Sequence, residues 1–203
     1  MVLSHKQRTR QLQDVEQLYA RVSQHIVRYV STQPSDYFIS DKTECIREAQ
    51  IRATQRGVRV YPGADPNLDS LLLPRERRVL SDLLCVYRKK HRSDPYQDKN
   101  LVIHLGDSSE RQCWSAASGR VPTFRATGGL LWSVPRSRWM TARERLAALG
   151  LPVTDETAAA MGVPKFPCLD VRRAQHVAGN SFHFSTVSVV QLVALLSFAK
   201  IEC

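Results

Sequence analysis

Arg138-Trp139-Met140-Thr141-Ala142-Arg143-Glu144, followed by Leu149-Gly150-Leu151-Pro152, is the stretch on which the reading of this chain turns. Thr141 is placed to cap a helix, and Glu144, three residues on, reaches back to the cap's own amide, which is a capping box. Leu146, Leu149 and Leu151 give that helix an apolar face, and Gly150 and Pro152 end it. A second short helix follows over 154–161, opened by Thr154 and terminated by Gly162 and Pro164.

Further along, Gln175-His176-Val177-Ala178-Gly179-Asn180-Ser181 stands directly before an apolar run over 182–199. Asn180 or Ser181 is expected to cap the helix made by that run, leaving first-turn amides that attract polar ligand groups. The run approaches the ~20 residues a bilayer span needs, but Ser185, Thr186, Ser188, Gln191 and Ser197 interrupt it. It therefore reads as a helix buried on most sides in a protein core.

Working back from Arg138, the window 111–143 holds Arg111, Arg120, Arg125, Arg136, Arg138 and Arg143, with no lysine, aspartate or glutamate. All three tryptophans, Trp114, Trp132 and Trp139, lie in it. Residues 101–105 form a compact strand candidate stopped by Gly106 and Asp107. Before it, a helix is expected over 74–91, with Pro74 in its first turn and Val79, Leu80, Leu83, Leu84 and Tyr87 as its stripe. Its basic end, Arg88, Lys89, Lys90 and Arg92, suits the helix dipole without any nucleic acid. A short strand over 58–61 and turn chemistry around Pro62, Gly63, Pro66 and Asn67 come earlier. Two more helices are expected, over 42–55 up to Gly57 and over 7–31, where Leu12, Val15, Leu18, Tyr19, Val22, His25, Ile26 and Val30 recur every three or four residues.

The chain has 203 residues, 43% of them hydrophobic and 24% charged, an ordinary globular composition with room for one core or a core plus a small lobe. Its net charge of +10 points to a polyanionic partner. Five scattered cysteines with no Cys-x-x-Cys pair give no zinc site and suit a reducing compartment. Residues 1–10 lack the apolar run of a secretory signal, so an intracellular location is expected, with no membrane partner.

An arginine-only window with aromatics and small residues suits contact with phosphates and bases, because guanidinium forms forked hydrogen bonds to both. The competing explanation is that these arginines stack on tryptophan or pair with acids elsewhere.

The 138–152 stretch resembles the ninth conserved motif of cytosine-5 DNA methyltransferases, and 175–181 resembles their tenth, whose Gly-Asn-Ser opens the final helix. Gly119-Arg120-Val121-Pro122-Thr123-Phe124 and Gly128-Gly129-Leu130-Leu131-Trp132-Ser133 are similar to the target-recognition segment that leads into the ninth motif. Residues 101–105 with Arg111 are similar to the strand that opens that segment, and Gln7-Arg8-Thr9-Arg10 to a trace of the eighth motif. Leu151 and Met140 depart from the usual aromatic and leucine while keeping apolar volume.

The resemblance covers about residues 100–199 and implies a partial two-lobed α/β protein, α+β within this chain. Its expected divisions are a helical region at 1–99, a recognition segment at 100–153, and a connector with the closing helix at 154–203. It implies that Arg120, Thr123, Arg125, Thr127, Gly128 and Gly129 approach DNA. It also implies that Arg138, Thr141 and Glu144 hold the recognition lobe in place, and that Asn180 and Ser181 line an S-adenosylmethionine pocket. A nuclear location follows if the source is eukaryotic, a cytoplasmic one otherwise.

The family's chemistry needs a cysteine thiolate from a Pro-Cys loop and an acid from a Glu-Asn-Val segment. Neither is here. Pro167-Cys168 falls between the two C-terminal motifs and reads as coincidence, and neither Gly57 nor Gly106 fits a cofactor-cradling turn. The chain is thus expected to bind no S-adenosylmethionine alone and to work with a catalytic lobe supplied in cis or in trans. The alternatives are a non-catalytic basic DNA-binding module, or a structural fragment that buries its last helix against another subunit.

Overall fold

The computed structural model describes residues 8–26, 31–58, 67–125 and 129–201. In chain order the elements are β1 (Thr9–Gln11), α1 (Val15–Ile26), α2 (Lys42–Arg56), α3 (Pro74–His91), β2 (Val102–His104), α4 (Ser115–Ser118), β3 (Leu131–Ser133), β4 (Arg138–Trp139), α5 (Ala142–Ala148), α6 (Asp155–Met161), α7 (Val171–Asn180), α8 (Phe184–Ser197) and β5 (Phe198–Lys200). The architecture is α+β with small antiparallel sheets, divided into a unit over 32–180 and a second made of 1–31 with 181–203.

In the larger unit the sheet order is β2-β3-β4, with Ile103 opposite Trp132 and Trp132 opposite Trp139. Residues facing both ways from β2 are buried, so this strand reads as continuous apolar sequence rather than as an alternation. The β3–β4 turn places Ser137 in the left-handed region, with φ of 46°. One core joins Ala49 and Ala53 of α2 and the stripe Val79, Leu80, Leu83, Leu84 and Tyr87 of α3 to Leu101, Ile103, Trp132 and Trp139. A separate cluster of Ala142, Leu146, Val153, Val171, Ala174 and Ala178 packs α5 against α7.

The helices expected over 42–55, 74–91 and 154–161 form almost as their caps dictate. Asp41 accepts from the Glu44 amide at 2.8 Å to start α2, and Gly57, at φ of 66°, ends it. α3 runs from Pro74 to His91, and Thr154 caps α6. The strand expected over 58–61, like the turn residues Pro62, Gly63 and Pro66, lies outside the described residues apart from Val58.

Two expectations fail in the smaller unit. The helix expected over 7–31 begins only at Val15, because Asp14 accepts from the Gln17 amide at 2.9 Å and so caps it there. Ahead of the cap, Thr9–Gln11 is a strand paired antiparallel with Phe198–Lys200, and Leu12 N donates to Ser197 O at 2.8 Å. The Arg8-Thr9-Arg10 segment therefore enters a sheet, not a helix start; Gln7 and Val30 lie outside the described residues.

The last helix is not buried on most sides. Only Val193 and Ser197 of α8 are buried, while Leu195 is 77% exposed and Phe182, just ahead of the helix, 79%. One helix and a two-stranded sheet within its own unit cover a single stripe of it. No single helix among the described residues is long and apolar enough to cross a membrane.

Candidate nucleic-acid interface

The segment from Gly119 to Arg125 runs as a strap across the larger unit, and local packing decides which side chains it shows. Gly119, at φ of 67°, turns the chain out of α4. Val121 and Phe124 then pack against Val102, Leu131 and Met140. Fixing those two inward leaves Arg120, Thr123 and Arg125 on the exposed side. Thr127 and Gly128 lie outside the described residues.

Two contacts fasten the strap to the turn after β2. Arg125 donates from both terminal nitrogens to Asp107, at 2.8 and 2.9 Å, a fork-to-fork pair. Asp107 is buried, whereas the Arg125 side chain keeps 47% of its surface in solvent. Gly129 lies backbone to backbone on Gly106, so close that a Cβ on Gly106 would fall 2.5 Å from the Gly129 nitrogen. Neither position tolerates a side chain without moving the strap. Gly106 and Asp107 read in the sequence only as a strand stop, because their partners lie far along the chain.

Charge gathers around this turn. Arg111 approaches the same Asp107 at 3.7 Å and is 70% exposed, and Arg75 donates to the Gly106 carbonyl at 2.9 Å. The bonded Arg125 guanidinium holds the Asp107 carboxyl below the usual carboxylate range. Burial pushes the neighbouring His104 imidazole down; its Nδ1 lies 3.3 Å from Asp107 Oδ2 without the alignment of a hydrogen bond. The guanidinium of Arg120 has no partner among the described residues.

The arginine-rich window therefore divides. Arg111, Arg125, Arg138 and Arg143 each face an acid from outside the window or from its flank, Arg136 lies over the Phe38 ring at 4.7 Å, and Arg120 stands free among the described residues. The tryptophans offer nothing to a base. Trp114, Trp132 and Trp139 are all buried, and their density in the window reflects the sheet core.

The Thr141 region is a closed polar hub. Arg138 donates to both oxygens of Glu144, at 2.9 and 2.8 Å, and Glu144 also accepts from the amides of Thr141 (2.8 Å) and Ser40 (3.0 Å). The Ser40 and Thr141 hydroxyls meet at 2.7 Å. Glu144 is fully buried and its acceptor capacity is filled, so the ion pair serves architecture. Arg143 extends it to Glu44 at 2.8 Å.

Glu48 of α2, which the sequence reading did not single out, accepts from Trp139 Nε1 (3.1 Å), the Ala142 amide (2.9 Å) and Gln175 Nε2 (3.1 Å). It thereby ties α2, β4, α5 and α7 together. Glu48 shares the buried side of α2 with Cys45, Ala49 and Ala53, and its partners lie far along the chain, so it leaves no local signal. Cys45 beside the hub is pushed up to about 11 by burial, an inert thiol.

Asn180 and Ser181 do not form the expected cap. α7 continues through Gly179 and Asn180, and Asn180 Nδ2 donates back to the His176 carbonyl at 2.9 Å. α8 starts at Phe184, with His183 in the cap position and no side-chain cap bond. Asn180 satisfies the helix it ends rather than the one it precedes. Cys168 donates to the Phe166 carbonyl at 3.4 Å and burial raises its thiol, the opposite of an activated nucleophile. Among the described residues no group of three or more His, Cys, Asp or Glu side chains is arranged to hold a metal ion. No protein-family model matches this chain, and no curated protein matches it.

Proposed function

We propose that this chain contributes the DNA-recognition part of a cytosine-5 DNA methyltransferase-like protein and is silent in catalysis by itself. The observation that carries the DNA reading is the strap. It is seated by Val121 and Phe124, fastened through Arg125–Asp107 and Gly129–Gly106, and turns Arg120, Thr123 and Arg125 outward. A loop fixed in this way loses little entropy when it meets a phosphate backbone, and forked guanidinium donors match phosphate and guanine edges.

The methyltransferase part rests on the resemblance, and the Arg138–Thr141–Glu144 hub supports it by fixing the start of α5 to β4. The nucleophile, the acid and the S-adenosylmethionine cradle belong to a lobe supplied in cis or in trans. The exposed apolar surface of α8 supports such completion, since a helix this apolar is stable in water only when covered. A non-catalytic DNA-binding module is the second reading, favoured by Asn180 bonding back to the His176 carbonyl instead of capping α8.

Fluorescence anisotropy of a labelled cytosine-containing duplex, titrated with the chain over a range of salt, tests the proposal. Affinity falling steeply with salt, and sharply reduced by Arg120→Ala with Arg125→Ala, is expected. Binding that ignores salt, or none, contradicts it. Titration calorimetry with S-adenosylmethionine is expected to give no heat, and added catalytic lobe separates the two readings by restoring methyl transfer or failing to.

A further inference from the structure

We infer that the nucleic-acid surface continues from the strap onto the exposed face of α3, where Arg75, Arg78 and Lys89 form a second track that follows a phosphate backbone. The inference rests on the reading of the strap as a DNA contact and assigns a role to the exposed face of a helix whose other side is core.

Arg75, Arg78, Asp82, Cys85 and Lys89 recur at three- and four-residue spacing and are all exposed, so they share one face of α3. Their opposite side, Val79, Leu83 and Tyr87, is core. The face is joined to the strap at two points. Arg75 donates to the carbonyl of Gly106, the residue on which Gly129 is seated. Ser109 donates to Asp82 at 3.1 Å, which brings the turn Ser109–Arg111, and with it Arg111, beside the helix. Strap, turn and helix face are therefore parts of one surface.

The helix dipole explains only the C-terminal part of the charge on this face. The basic residues Arg88, Lys89, Lys90 and His91 in the last turn suit the negative end of the dipole. The opposite end should repel cations, yet Arg75 and Arg77 flank Glu76, whose carboxylate is turned inward to Arg56, and Arg78 follows directly. Arg75 and Arg77 recover part of this by donating to the carbonyls of Gly106 and Ser70. Arg78, like Lys89, has no partner among the described residues. Asp82 is the single acid on the stripe, and Ser109 engages it.

From Arg75 to Lys89 a helix advances about 21 Å at 1.5 Å per residue, the rise of roughly six base pairs. A duplex held at the strap thus has a backbone-length row of cations beside it. Contacts of this kind set register and affinity without reading sequence.

The test compares the full chain with Arg78→Ala/Lys89→Ala, two positions outside the strap and its fasteners. Binding of a cytosine-containing duplex is measured by anisotropy between low and moderate salt. The slope of log affinity against log salt is expected to shrink by about 2, near 0.9 for each lost phosphate contact, with relative affinities for different duplex sequences unchanged. The variant's melting temperature is expected to hold or rise slightly, so the loss is not unfolding. An unchanged slope in this variant, while Arg120→Ala still weakens binding, overturns the second track and leaves the strap reading intact. A wild-type chain that binds no duplex, or binds an RNA hairpin in its place, overturns both.

Discussion

Two arginine–carboxylate forks, nearly identical in geometry, sit in opposite surroundings. Arg138–Glu144 closes at 2.9 and 2.8 Å with both partners buried, and every acceptor site of Glu144 is used. Arg125–Asp107 closes at 2.8 and 2.9 Å, with its carboxylate buried but its guanidinium half in solvent. The first can only hold structure together. The second holds a guanidinium in a fixed position while leaving its outer edge free to meet a partner, which is how one chemical pairing serves architecture in one place and presentation in another.

The largest effect should come from breaking the closed fork. Glu144→Gln leaves Arg138 as a buried, uncompensated charge and should cost about 3–5 kcal/mol in urea unfolding. A loss of under 1 kcal/mol would show that the hub is dispensable. Next comes the glycine junction: Gly129→Ala forces the strap off Gly106 and should cost about 1–3 kcal/mol, with weakened duplex binding in the fraction that folds. Asp107→Asn opens the half-exposed fork and should cost only about 1 kcal/mol. Its effect on binding sharpens the comparison, because loss of affinity without much loss of stability marks a presenting pair.

Acid should erode the region around the same fork. Burial depresses the His104 imidazole, so the unfolded chain takes up that proton first. This contribution is complete above the ordinary histidine value of about 6.5 and falls as pH drops below it. Asp107, depressed by its bond to Arg125, contributes stability that is complete above the ordinary carboxylate value of about 3.9 and is lost as pH falls from there through the lower value of its folded carboxyl. Melting curves from pH 7.5 downward should show a decline near the histidine range that His104→Asn removes. Smallest of all is Arg120→Ala, expected to change stability by less than about 0.5 kcal/mol while lowering the salt slope of duplex binding by about 1.

What was legible in the sequence was local. Thr141 and Glu144 are three residues apart, and the helix they open follows from that spacing, while Pro74 and Thr154 mark two further starts. The strand at Val102–His104 follows from its run of apolar residues. Contacts between distant segments were not legible. Nothing near Gly106 announces Gly129, nothing near Asp107 announces Arg125, and Glu48 meets Trp139 and Gln175 only once α2 packs beside them.

Local signals also misled where two outcomes compete for one residue. Asn180 can cap the helix that follows or close the one that precedes, and its bond to the His176 carbonyl settles it for α7. The tryptophans counted toward a window suited to nucleic acid because composition cannot tell a ring in the core from a ring on the surface, and all three are buried in the core.

Hydrogen exchange of the full chain with and without a cytosine-containing duplex tests the central claim most directly. The account predicts slowed exchange at amides of the strap, 119–125, and of the turn at 106–111, with none gained at the Ser40–Glu144 hub, which is already closed. Slowing confined to the hub or to residues 181–201, with the strap unchanged, would contradict it.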